Sequence, residues 1–320
     1  MQTKASKRSW KNVNPFGATV SKMFLKIPPF FRLIALSLLL ASVVVGQKSG
    51  SHPSRVRSSL TPEAKVLVEN AIGIVCTQAK LDPNSSIAID EMQARPSLPV
   101  QSPEAKAGAE RAQRLLPVAK ALMINSLRQL ATEYGLDKSP KFEARLRQAT
   151  ARVNSVKRVR PDMESRDNAS VFLSKPHVIT FGTIFLAGLR SDEGMISVLA
   201  HELMHIADGD NDSLRPLVSA VGNKASDLTG LDIRGQRGEE ITCDLIGAMA
   251  ARAHVTSTPG YESITRRLAR SIQHNCVEVD EGDEDHLSPR DTIRALLALN
   301  PVLVRELIND REERTPGRKL

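Results

Sequence analysis

Residues 198–208 read VLAHELMHIAD. Two histidines four apart, with a glutamate directly after the first, lie within an apolar run. How this stretch folds decides the architecture around it. On a helix, His201 and His205 project from one face, so two imidazole nitrogens can converge on one ion. Neutral imidazole suits zinc, which it binds at about 2.0–2.1 Å. Glu202 projects about 100° around the helix from His201 and can meet a water beside the metal rather than the metal itself. The competing reading is a buried amphipathic helix whose histidines hydrogen-bond locally.

A catalytic zinc takes three protein ligands and keeps a fourth position open. The spacing H-E-x-x-H-x-x-G-x-x-H would require glycine at 208 and a ligand at 211, where the chain has Asp208 and Asn211. That geometry ranks low. The stronger candidate is GEEITCDLIGAMAA, residues 238–251. Glu240 and Asp244, four apart in a helical pattern, share a face. Glu240 is the expected third ligand, and Asp244 the acceptor for the N–H of a ligand histidine, which fixes the ring's orientation. Glu239 is the fallback ligand. The plain alternative is that Glu239 and Glu240 only favour a helix N-terminus. Cys243 is expected to pack in the core near this site.

Outward from these segments, the pattern is mostly helical. Thr61-Pro62-Glu63 opens a helix to about Lys80, with Thr61 as N-cap and Pro62 at the first helical position. Residues 82–103, with Pro83, Pro96, Pro99 and Pro103, read as a loop. Helices are expected over Glu104–Tyr134, bent at Pro117, and over Lys141–Thr150. VNSVKRV (153–159) and HVITF (177–181) alternate and are rich in β-formers, so both read as strands. Further helices are expected over Glu193–Ala207, Glu239–Ala253, Glu262–His274 and Asp291–Asn309, the last interrupted at Pro301. The basic cluster Arg145, Arg147, Arg152, Lys157, Arg158 and Arg160 reads as a solvated face, with substrate steering as the alternative.

The chain has 320 residues, 41% of them hydrophobic and 3% aromatic, so aliphatic side chains must fill the core. Its formal net charge is +8, but seven of the 44 basic residues and none of the 36 acidic ones lie in residues 1–46. The remainder carries 37 basic against 36 acidic residues, a net +1, and no nucleic-acid partner is expected. Leu33–Val45 is an apolar run of 13 residues, short of the roughly 20 that span a bilayer. With basic residues before it and Gly46 after it, it reads as a signal-peptide core, with Gln47 as the mature start and Met23 as an alternative initiator. An uncleaved single anchor is the competing reading and would be the one point of membrane contact. Either way, the body is expected outside the cytoplasm, periplasmic or extracellular. The three cysteines, Cys76, Cys243 and Cys276, permit one disulfide and one free thiol. The expected division is a leader (1–46), a flexible segment (47–60), a helical region (61–150), a zinc-binding domain (151–310) and a tail (311–320).

The stretch NASVFLSKPHVITFGTIFLAGLRSDEGMISVLAHELMHI (168–206), followed by EITCD (240–244), resembles the zinc metallopeptidase family of the CaaX prenyl endopeptidase and the HtpX heat-shock protease. Periplasmic members of that family include quality-control proteases of the outer membrane. Cys243 stands where the family usually has alanine, the spacer from His205 to Glu240 is short, and the family's frequent membrane helices are missing. The resemblance implies a gluzincin fold: α+β, predominantly α, with a small antiparallel sheet. It also implies one zinc per chain and endopeptidase activity on proteins or peptides, with envelope quality control as a setting. DHLSPRDTIRALLAL (285–299) is similar to the family's late His-Pro segment, which maps its histidine to His286 and its arginine to Arg290 or Arg294. His286 would then stabilise the oxyanion or cap the zinc as an inhibitory fourth ligand; a plain loop histidine is the alternative. The strand around Val178, Ile179 and Thr180 would be the edge to which an extended peptide adds, with Asn168 and Ala169 holding its backbone. A latent or inactive zinc-bound scaffold or chaperone, capped by His286, is the second expectation.

Overall fold

The computed structural model describes residues 59–209, 213–258, 260 and 262–313. The leader, nearly all of the 47–60 segment, Asn211 and most of the 311–320 tail lie outside the described residues. Among the described residues the chain forms eleven α-helices and three strands.

Four helices begin alike. A serine or threonine precedes a proline at the start of α1 (Pro62–Leu81), α3 (Pro103–Glu133), α4 (Pro140–Ser155) and α10 (Pro289–Leu299). In each, the hydroxyl oxygen accepts the backbone N–H three residues on: Ala64 to Thr61, Ala105 to Ser102, Phe142 to Ser139 and Asp291 to Ser288, at 3.2–3.4 Å. The proline needs no partner for the N–H it lacks, and its fixed φ suits the first turn. A short α2 (Ile89–Gln93) interrupts the proline-rich loop. Pro117 lies within α3, which runs unbroken from Pro103 to Glu133.

The sheet departs from expectation in two respects. The stretch 153–159 is only partly strand, because α4 continues to Ser155 and β1 begins only at Arg158 (Arg158–Asp162). The strand order is β1–β3–β2, with β1 parallel and β2 (Ala169–Val171) antiparallel to β3 (Val178–Gly182). The sheet is therefore mixed, and β3 is its centre rather than its edge. The composition explains the order. β3 (VITFG) is apolar and buried from Ile179 onward, whereas β1 alternates charges and carries Pro161, which suits an edge position.

After β3 come α5 (Thr183–Gly188), α6 (Asp192–Asp208), α7 (Arg215–Thr229), α8 (Gln236–Ser257), α9 (Ile264–Arg270), α10 and α11 (Pro301–Glu313). The sequence pattern missed α7, and the helix expected over Glu262–His274 divides into α9 and a 3₁₀ turn at Gln273–Asn275. α6 packs against α3, α4 and α8 at the centre of a core that extends from Val68 to Leu307. At Gly247 of α8, an added Cβ would lie 2.6 Å from the Ser197 carbonyl oxygen of α6, so only glycine permits this approach. A disulfide joins Cys76 of α1 to Cys276, leaving Cys243 as a buried free thiol. Among the described residues no helix is long and apolar enough to cross a membrane.

Candidate metal centre

α6 is not amphipathic. Between Glu193 and Asp208 every residue is buried except His201 and His205, which are partly exposed. Met195 and Met204 are packed core side chains, as their spacing suggests. Beyond its first residue, Asp192, the helix therefore meets solvent through its two imidazoles, and these open into a cleft of about 560 Å³. Ser191 caps the helix start by accepting the Gly194 N–H, and Arg152 of α4 donates to the carbonyls of Ala207 and Asp208 at its end. Arg152 also donates to Ser213 at 2.5 Å, so it belongs to the site's framework rather than to a solvated basic face.

α8 passes α6 in the antiparallel sense: His201 meets Asp244, while His205, one turn later, meets Glu239, one turn earlier. His201 Nδ1 lies 2.8 Å from Asp244 Oδ1, and His205 Nδ1 lies 2.9 Å from Glu239 Oε1. Both rings thus spend their Nδ1 atoms on carboxylates. Their Nε2 atoms face each other at 3.2 Å, and the Glu240 carboxylate lies between them, 3.4 Å from His201 Nε2 and 3.7 Å from His205 Nε2. Gln236 donates to Glu240 Oε1 at 3.2 Å from one turn earlier on α8. With each Nδ1–H donated to a carboxylate, two neutral rings turn lone pairs toward each other and can hold a cation, whereas a protonated ring turns its Nε2–H toward Glu240.

The surrounding carboxylates favour positive charge at the two rings, which a proton supplies as well as a metal ion. Burial lowers the His201 pKa, but Asp244 and Glu240 outweigh it and hold the ring well above 6.5. Burial likewise lowers His205, against Cys243, Glu239 and Glu240, and the net result is again upward. The carboxylates carry that effect, because burial pushes the Cys243 thiol up and keeps it protonated. Burial raises Glu240, but hydrogen bonds from both histidines bring it far below the usual carboxylate range. Glu202 is buried in the cleft wall, and burial raises its pKa despite the neighbouring histidines.

His201, His205 and Cys243 have ligand atoms within 4.8 Å of one another, a grouping that can hold a metal ion. Cys243 Sγ approaches His205 from the Nδ1 side at 3.7 Å, whereas Glu240 approaches both rings from the Nε2 side.

The remaining expected residues divide. Asn168 and Ala169 line the cleft with Ser170, Val171 and Leu173. Val178, Ile179 and Thr180 do not, because β3 is hydrogen-bonded on both sides and cannot accept a further strand. The edge strand beside the histidines is β2. His286 also lines the cleft, with Nε2 3.9 Å from Glu240 Oε1 and Nδ1 3.1 Å from Asp283 Oδ1. Arg290 and Arg294 pair with Glu69 of α1 instead of lining the cleft. Asp208 Oδ1 accepts the Leu214 N–H at 2.5 Å. The sequence signal missed for Glu239 was its place one turn before Cys243, on the face that also carries Glu240 and Asp244. No protein-family model matches the chain, and no curated protein or solved structure does either.

Proposed function

We propose that the protein is a zinc-dependent endopeptidase acting on proteins or peptides outside the cytoplasm, of the gluzincin type that its motifs resemble. The observation that carries this reading is the convergence of His201 Nε2, His205 Nε2 and the Glu240 carboxylate at 3.2–3.7 Å. Two ligands 2.0–2.1 Å from a tetrahedral ion stand about 3.4 Å apart, so the donor set fits one zinc. Asp244 and Glu239 fix the imidazole orientations from the far side.

When bound, zinc supplies Lewis acidity, polarising a carbonyl and bringing the ionisation of a neighbouring water close to pH 7. Glu202 is the general base. Its raised pKa suits a group that takes a proton from water and passes it to the leaving amine. The extended substrate lies along the outer edge of β2 at Ala169, while Asn168, whose backbone N–H and carbonyl already bond Ser165 and Gly182, offers its side chain. Export rests on the apolar run Leu33–Val45.

The test is zinc content together with cleavage of an unfolded protein such as casein. Glu202→Gln is expected to retain one zinc and lose about 10²–10⁴-fold in rate; an unimpaired variant would remove this mechanism. His286 favours a second reading, a latent or scaffolding protein, because its Nε2 faces Glu240 while Asp283 holds its Nδ1. Activation by His286→Ala would indicate latency, loss would indicate a catalytic role, and inactivity of both proteins would favour the scaffold.

A further inference from the structure

The turn between β2 and β3 carries two features that the proposed chemistry does not use. Phe172 and Leu173 are 54% and 38% exposed at the end of the edge strand. Just beyond them, Lys157, Arg158 and Lys175 surround a hollow of about 450 Å³ floored by Pro176 and Val178. All three cations are exposed, and none of their charged heads has a hydrogen-bond or ion-pair partner among the described residues. Their backbone is nevertheless fixed. The Lys157 and Arg158 N–H groups donate to the His177 carbonyl at 2.9 and 3.4 Å, and the Lys175 N–H donates to Phe172 at 2.7 Å. The cleft and the hollow share no lining residue but have neighbouring ones in the chain: Leu173 lines the cleft and Ser174 lines the hollow.

We infer that this hollow is a substrate subsite that holds an apolar side chain flanked by acidic ones, in an extended polypeptide lying on β2. The inference rests on the proposed peptidase reading for its substrate. Like-signed charges around a low-dielectric floor draw an anion and raise its association rate, while Phe172, Leu173, Pro176 and Val178 supply apolar contact. β2 ends where β3 and β1 begin, so a peptide that continues past Leu173 and crosses that end of the sheet reaches the hollow on the β1 side of β3. Unfolded chains present such mixed segments; folded ones bury the apolar member.

The test is binding rather than cleavage. Two fluorescein-labelled extended peptides, with phenylalanine flanked by aspartates or by lysines, are titrated into full-length Glu202→Gln protein. The acidic probe is expected to bind more tightly at low salt and to lose most of that preference near 1 M salt, where screening acts within about 3 Å. The triple variant Lys157→Glu, Arg158→Glu, Lys175→Glu should weaken the acidic probe at least about tenfold and favour the basic one. Phe172→Ser with Leu173→Ser should weaken both probes and leave the salt dependence unchanged. Equal binding of the two probes, no binding of either, or a triple variant with unaltered preference would overturn the inference. So would loss of binding to anionic phosphatidylglycerol vesicles in the triple variant with peptide affinity intact, because the surface would then be a lipid one. Unchanged melting and zinc content confirm that the variants fold. Failure of wild-type protein to hydrolyse casein would remove the peptidase reading and leave the binding result standing.

Discussion

At the scale of the residue, the open choice is the third ligand. Glu240 reaches both Nε2 atoms, while Cys243 reaches His205 on the Nδ1 side, which Glu239 already occupies. Glu240→Ala should therefore weaken zinc binding at least about 100-fold, beyond the 10–100-fold typical of residues that only orient a ligand. Cys243→Ala should keep one zinc per chain. Chelator competition on the two variants separates the possibilities, and the reverse ranking would move the third ligand to sulfur. Glu239→Gln should cost about 10–100-fold in zinc affinity, because an amide holds the His205 ring without adding charge. His201, Glu202 and His205 were legible in the sequence because one helix fixes their relative directions. Glu239 was legible only as a fallback ligand, because which of two adjacent glutamates meets the His205 Nδ1 depends on how α8 crosses α6.

At the scale of the element, the site depends on the close approach of α6 and α8. Gly247→Ala places a methyl against the Ser197 carbonyl and must push the helices apart. A loss of about 1–3 kcal/mol is expected in urea unfolding, with weaker zinc binding as Asp244 withdraws from His201. Unchanged zinc affinity would show that the pair tolerates the displacement. The sheet illustrates the other side of legibility. Alternation identified the β3 segment correctly, but a periodicity of two cannot say which strand is central. Burial of VITFG and the proline and charges of β1 settle that only when the strands meet.

At the scale of the whole molecule, the Cys76–Cys276 disulfide closes a loop with a sequence separation of 200. Cys76→Ser with Cys276→Ser should cost about 2–5 kcal/mol by constraining the unfolded chain less, measurable as a lower urea midpoint. His274 adds a pH dependence. Burial pulls its imidazole down to about 4, although Asp244 acts to raise it, and its Nδ1 has no partner among the described residues. The unfolded chain takes up a proton below about 6.5 while the folded chain resists until about 4, so stability falls as pH drops through that window, by ~3 kcal/mol in total. His274→Gln removes that proton, and the difference between its urea midpoint and that of wild type should grow in the variant's favour from pH 7 to pH 4. A constant difference would show that the ring takes up its proton over the same pH range in both states.

The sequence by itself determined what a single element can express: the paired histidines and their glutamate, the Thr61-Pro62 helix start, the β character of 178–181, and a cysteine count that allows one bridge. Spacing along a chain sets which side chains share a face, and these features need nothing more. Only the tertiary structure decided that β3 lies between β1 and β2, that Glu239 holds His205, that Arg152 closes the end of α6, and which two cysteines join. Each depends on the angle and distance between elements, which arise from packing of the whole core and leave no period in the sequence.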